Sequence, residues 1–196
     1  VTTLNLQVAA SSDDADEVSD GTMDLTSVNI SLTAAAQWGG LRWNNVTVPQ
    51  GATIDTGTLQ ISIPSTDYDD VYVDVYGEDE DDPGTFTTDN SNISGRTPTT
   101  AKKSVSAAGV GTGWYSITVT DPVQEIVNRG GFASGNDLVL IMDAQTSISL
   151  RFKAYDGDSG LAAKLDIDYT AAGAAGLPVV SGEGIHSLVF GGVTVR

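Results

Sequence analysis

Residues 71–76 read VYVDVY and residues 164–169 read KLDIDY. In the first stretch Val71, Val73 and Val75 alternate with Tyr72, Asp74 and Tyr76. In the second, Leu165, Ile167 and Tyr169 alternate with Lys164, Asp166 and Asp168. Successive side chains of a strand point to opposite faces, so this period of two predicts antiparallel strands with one buried face and one wet face. Leu59, Ile61 and Ile63 repeat the pattern, as do Ile148, Leu150 and Phe152. Asp137–Asp143 (DLVLIMD) is apolar on both faces and predicts a central strand. Thr3–Ala9, Val28–Thr33, Leu41–Val48 and Trp114–Thr120 are further expected strands. Glycine-rich turns separate them. The expected fold is therefore all-β: an antiparallel two-sheet β-sandwich of the jelly-roll kind, with one short helix.

That helix begins around Asp121, a residue type suited to the N-cap, with Pro122 at the first helical position, where a missing N–H costs nothing. Gln124 stands at capping-box spacing. Val123, Ile126 and Val127 share one face, and Gly130 is placed to end the helix in a left-handed conformation. The apolar stripe predicts a packing role at one open end of the sandwich.

The chain has 196 residues, 26 acidic side chains against 9 basic ones, and no Cys. A net charge of −17 argues against nucleic-acid binding and against docking on anionic lipid. The absence of Cys excludes disulfides, thiolate zinc sites and thiol catalysis. No apolar run approaches the ~20 residues of a membrane helix. The first residue is Val1, which reads as a processed or trimmed start. Composition changes after Tyr169. Residues 1–170 read as the sandwich domain, and residues 171–196 as a small-residue linker followed by an apolar arm. Leu177, Val179, Ile185, Leu188, Phe190 and Val193 give the arm its character. So short a segment cannot fold alone, which predicts docking on its own domain, a sister chain or another protein of a larger assembly.

Several stretches occur in an order that resembles a known module: Leu6–Glu17 (LQVAASSDDADE), Arg42–Ile54 (RWNNVTVPQGATI), Arg96–Thr100 (RTPTT), Gln124–Asn136 (QEIVNRGGFASGN) and Tyr155–Asp158 (YDGD). The chain from Val1 to Thr170 resembles carbohydrate-binding-module-like jelly rolls of bacterial surface and secreted proteins and of bacteriophage structural proteins. The resemblance implies a sandwich fold, a virion-surface or extracellular setting and, in some relatives, a structural calcium. It implies no enzymatic activity.

Acid clusters are the main candidate for chemistry. Asp13, Asp14, Asp16 and Glu17 read as one loop, Glu78–Asp82 as a second and Asp156 with Asp158 as a third. Calcium takes six to eight oxygen ligands, usually from carboxylates on converging loops. If the first and last strands lie side by side, Asp14, Glu17, Asp156 and Asp158 are the expected ligands of a structural calcium. The competing reading is a solvated acidic surface. For Glu78–Asp82 the solvated reading is preferred.

Tyr72, Tyr76 and Trp114 are candidates for stacking on sugar rings, Tyr72 and Tyr76 because they lie opposite the valines. Ordinary cross-strand packing is the alternative. Trp43 reads as core. The sole His, His186, lies in the arm, away from any triad spacing, and no phosphate-binding or dinucleotide fingerprint is present. The acids sit mostly in Gly- and Asp-rich stretches, where water is expected to keep them ionised, so a glycosidase-type acid is not expected. The expectation is a non-enzymatic structural or interaction protein, a decoration or fibre-type subunit anchored to other subunits through the arm. The alternative is a carbohydrate-binding module, with glycans as partner.

Overall fold

The computed structural model describes residues 1–146 and 149–172. Among the described residues twelve strands and one α-helix follow in order: β1 (Thr2–Gln7), β2 (Asp14–Glu17), β3 (Met23–Asp24), β4 (Asn29–Leu32), β5 (Trp38–Trp43), β6 (Thr53–Ile63), β7 (Val71–Glu78), β8 (Pro98–Ala107), β9 (Gly113–Thr118), α1 (Thr120–Val127), β10 (Leu138–Ala144), β11 (Leu150–Lys153) and β12 (Lys164–Thr170). They form a four-stranded sheet in the order β1-β12-β6-β9, a six-stranded sheet in the order β3-β2-β5-β10-β7-β8, and a two-stranded ribbon of β11 and β4. Every pairing is antiparallel. The fold is an all-β sandwich with one helix, as the alternating pattern predicts. Among the described residues no helix is long and apolar enough to cross a membrane.

Alternation places the main core. Leu59, Ile61 and Ile63 of β6 face Val71, Val73 and Val75 of β7, with Leu165 and Ile167 beside them and Phe152 and Ile30 closing the end. β10 is central, between β5 and β7. Leu138, Leu140 and Met142 enter the main core. Val139 and Ile141 enter a second one, on the far side of the six-stranded sheet, with Ala15, Met23, Phe86 and Ile93. The doubly apolar sequence of β10 follows from having a core on each face. The second core exists because residues 79–97 fold back over that sheet as a lid.

Several expected boundaries move. The strand expected over Leu41–Val48 ends at Trp43, because Asn45 takes a positive φ of 54° and turns the chain. Val46 and Val48 stay buried outside any strand. Ile148 lies outside the described residues. β2, β3 and β8 are strands that the sequence reading does not predict.

The helix begins one residue before its expected cap. Val119 is the N-cap and makes no side-chain cap bond, so Asp121 lies inside the first turn. Main-chain contact with β6 sets the entry: the Val119 amide donates to the Gly57 carbonyl at 2.8 Å, and the Gly57 amide to Thr120 Oγ1 at 3.0 Å. Gln124 closes no capping box. Its Oε1 accepts from the Ile54 amide at 2.7 Å and its Nε2 donates to the Ala52 carbonyl at 2.9 Å. The helix ends at Asn128 in right-handed geometry, and Gly130 does not take the left-handed conformation. α1 packs against β6 of one sheet and β7 and β8 of the other, bridging the sandwich with Val123, Ile126 and Val127 buried. Gly77 makes room for it, since a Cβ there would come within 2.5 Å of Ile126 Cδ1.

Candidate ligand-binding face

The two large sheets differ in what covers their outer faces. Much of the six-stranded sheet is roofed by the 79–97 lid. Arg96 holds the lid together: Nη1 donates to Glu78 Oε2 at 2.6 Å, Nη1 and Nη2 donate to the carbonyls of Gly84 and Thr85, and the guanidinium lies 4.5 Å from the Phe86 ring centroid. Arg42 clamps its flank, bonding Asp13 at 2.5 Å, the Pro83 carbonyl at 3.0 Å and Asp137. Arg129 pairs with Asp79 and Asp81, and Asp82 accepts the Asp137 amide at 2.9 Å. The Glu78–Asp82 run is only in part the solvated loop the sequence predicts, with Glu80 and Asp82 exposed and Asp79 and Asp81 partly so. Glu78 is buried, and three of the other four acids fasten the lid.

Among the described residues the four-stranded sheet has no such cover. Register fixes its outer row across the strands: Thr3, Asn5 and Gln7 on β1; Lys164, Asp166 and Asp168 on β12; Thr56, Thr58, Gln60 and Ser62 on β6; Trp114, Ser116 and Thr118 on β9. Trp114 is 41% exposed, and Lys164 Nζ sits 4.3 Å from its ring centroid, a cation–π contact that holds the indole in place. Gln60 Nε2 donates to Asp166 Oδ2 at 2.7 Å. Thr3 and Thr56 donate to Asp168 at 2.5 and 2.9 Å and hold its carboxyl below the usual range. Gln7 Nε2 donates to the Gly160 and Ala162 carbonyls. Between these groups lies an open depression of about 390 Å³ lined by Asn5, Leu6, Gln7, Gln60, Lys164 and Asp166. The surface thus combines one exposed aromatic plane with amides, hydroxyls, a carboxylate and an ammonium, on a rigid sheet.

The other expected stacking residues sit differently. Tyr72 and Tyr76 do lie opposite the core valines, but both are half-buried, Tyr72 against the main core and Tyr76 against the second one. Tyr76 is also engaged by Lys102, whose Nζ is 3.3 Å from its hydroxyl and 2.7 Å from Asp74 Oδ2. Trp43 is core. Leu177, Val179, Ile185, Leu188, Phe190 and Val193 of the arm, and His186, lie outside the described residues.

β1 and β12 do pair, and the pairing brings the β2 region beside residues 155–158: Ser11 Oγ donates to Asp156 at 2.5 Å, and the Tyr155 amide to Asp14 Oδ2 at 2.8 Å. The four expected calcium ligands nevertheless do not converge. Residues 14–17 form a strand, not a loop, and a strand sends residues of opposite parity to opposite faces. Asp14 turns towards Tyr155. Glu17 turns to the lid, accepting the Ile93 and Ser94 amides at 2.9 Å each and Ser94 Oγ at 2.5 Å. Asp158 is exposed and caps its own turn at Gly160. Among the described residues no group of three or more His, Cys, Asp or Glu is placed to hold a metal ion.

The chain matches no family model and no curated protein.

On β2 burial, rather than water, sets the environment of two acids. Burial, with Asp156, Asp13 and Asp16 adding to it, raises Asp14 to about 7 against the pull of its Tyr155 bond. Burial and then Asp24 raise Asp16 to about 6, against its bond from Ser31. No local pattern in the sequence marks these two, because the groups that bury them come from β4, β5 and the turn after β11.

Proposed function

We propose that this chain is a non-enzymatic recognition module that binds a carbohydrate on the outer face of its four-stranded sheet. The observation that carries the reading is the exposed indole of Trp114, standing in register with rows of amide and hydroxyl side chains. The C–H face of a pyranose is apolar and packs on an aromatic plane, while its equatorial hydroxyls need donors and acceptors at the rim. Asn5, Gln7, Gln60, Ser116 and Asp166 supply both. With Asp166 and Asp168 on the face and a net charge of −17, the ligand favoured is a neutral glycan. Retention of the wild-type chain and of Trp114→Ala in affinity gels cast with neutral polysaccharides tests the reading. Retention lost in the variant supports it; equal mobility with and without polysaccharide for the wild type, across a panel, removes it.

A second proposal concerns setting. Residues 177–196 carry one acid in a chain otherwise crowded with them, and their apolar character fits an anchor to other subunits of a virion-surface or extracellular assembly. In that case the arm tethers and the sandwich faces outward. Deleting residues 176–196 then leaves a folded chain that no longer assembles.

A further inference from the structure

Trp114 stands at one corner of the uncovered face, on the outer strand β9, while Asn5 and Gln7 stand on the opposite outer strand, β1. β12 and β6 lie between them. Neighbouring strands are about 4.8 Å apart, so three steps separate the indole from the β1 amides by roughly 14 Å. Lys164 spans part of that gap. Its backbone on β12 is level with Gln60 and Gln7, yet its ammonium reaches to 4.3 Å from the indole centroid. Lys164 also lines the depression with Asn5, Gln7, Gln60 and Asp166, and Trp114 does not. Indole and depression are thus two stations joined by one side chain, on a line that runs across the strands. Along β9 itself, Trp114 shares its face with only the short hydroxyls of Ser116 and Thr118.

Hydrogen-bonding capacity favours the same line. Beyond the depression, the hydroxyls of Thr3 and Thr56 are committed to Asp168 and that of Thr170 to Asp55. Within it, Gln60 Nε2 is committed to Asp166, and Gln7 Nε2 to the Gly160 and Ala162 carbonyls. Each glutamine therefore turns its carbonyl oxygen to the ligand. Those two oxygens, Asn5 Oδ1 and the Asp166 carboxylate accept, whereas Asn5 Nδ2 and Lys164 Nζ donate. An acceptor-rich rim of this kind suits a ligand that brings many O–H donors.

We propose, on the reading of this face as a carbohydrate site, that it binds an internal stretch of a linear neutral glycan, at least three rings long and laid across the four strands from Trp114 to Asn5 and Gln7. In an extended chain each ring advances by roughly one strand spacing, so two rings starting at the indole stop short of β1 and a third reaches it. β1 and β9 each pair on one side only among the described residues, so neither end of the line is closed there and the glycan can run on past both.

The test is calorimetric titration of the full chain with oligosaccharides of two to six rings, taken from the cellulose, mannan or xylan series according to which polysaccharide retains the chain in affinity gels. Wild type is expected to bind four rings at least tenfold more tightly than two, and six no more than about twofold more tightly than four. Borohydride reduction of the six-ring probe's terminal ring should leave its affinity unchanged. In the Asn5→Ala/Gln7→Ala double variant the six-ring probe should bind only as tightly as a disaccharide. Equal affinity for two and six rings overturns the crossing geometry, as does loss of binding on end reduction or an undiminished length gain in the double variant. Should that variant fail to fold, Asn5→Ala and the wild-type length series decide. Retention by no polysaccharide removes the carbohydrate reading itself and the crossing geometry with it, whereas retention without dependence on length overturns the crossing geometry alone.

Discussion

The ring of Phe86 rests on the bare backbone of Gly40, so closely that a Cβ on Gly40 would lie 2.6 Å from Phe86 Cε1. Gly40 is on β5, and Phe86 is the centre of the lid, with its amide bonded to the Ser12 carbonyl at 3.0 Å. Gly40→Ala is therefore expected to lift the lid and destabilise the fold by about 1–3 kcal/mol, the usual cost of overpacking a filled core. Urea unfolding measures it. A variant as stable as wild type would mean that the lid is not seated by this contact.

Glu17 is the lid's second fastening. It is 2% exposed and its two oxygens take three donors from Ile93 and Ser94. Glu17→Ala strands buried N–H groups, an expected loss of about 1–3 kcal/mol, and amide exchange at Ile93 and Ser94 should accelerate ahead of exchange in β10. Unchanged protection at those two amides would contradict the assignment.

Tyr72, Tyr76 and Trp114 are predicted to separate stability from binding. Tyr72→Ala and Tyr76→Ala remove half-buried rings from two cores, so they should lower the melting temperature and leave polysaccharide retention intact in the folded fraction. Trp114→Ala removes an exposed ring, so stability should stay within about 0.5 kcal/mol while retention is lost. The reverse pattern would move the binding surface to the other sheet.

Calcium removal is expected to leave the melting temperature unchanged, because Asp14 and Glu17 face opposite sides of β2 and both Glu17 oxygens are occupied by protein donors. A ligand bound only to the folded state must stabilise it. A drop in melting temperature on adding chelator, restored by calcium, would reveal a site made by another set of oxygens.

Where side-chain parity alone decides the structure, the sequence is legible. β6, β7, β12 and the doubly apolar β10 follow directly from alternation, as does the burial of Trp43. β2 is not legible, because Asp-Ala-Asp-Glu reads as a wet loop unless one knows that Ser31, Ile93, Ser94 and Tyr155 converge on it from distant positions. β8 is missed for a different reason: it is an edge strand of Thr, Lys and Ser, with Thr99 alone fully buried. Near its start, the Thr100 and Ala101 amides donate to the Glu125 carboxylate of α1 at 2.8 and 2.6 Å. The helix cap shifts because contact with Gly57 outweighs the local preference for Asp121. At the binding face, Trp114 is readable as a candidate, but Asn5, Gln7, Gln60 and Lys164 join it only through strand pairing.

The most direct test of the central claim is NMR shift mapping of the ¹⁵N-labelled chain titrated with a neutral oligosaccharide that retains it in affinity gels. The account predicts perturbations confined to the outer row of the four-stranded sheet, at Asn5, Gln7, Gln60, Ser116, Lys164 and Asp166 and at the Trp114 indole N–H. Perturbations centred instead on Tyr72, Tyr76 and Trp38, with the Trp114 indole unmoved, would contradict it.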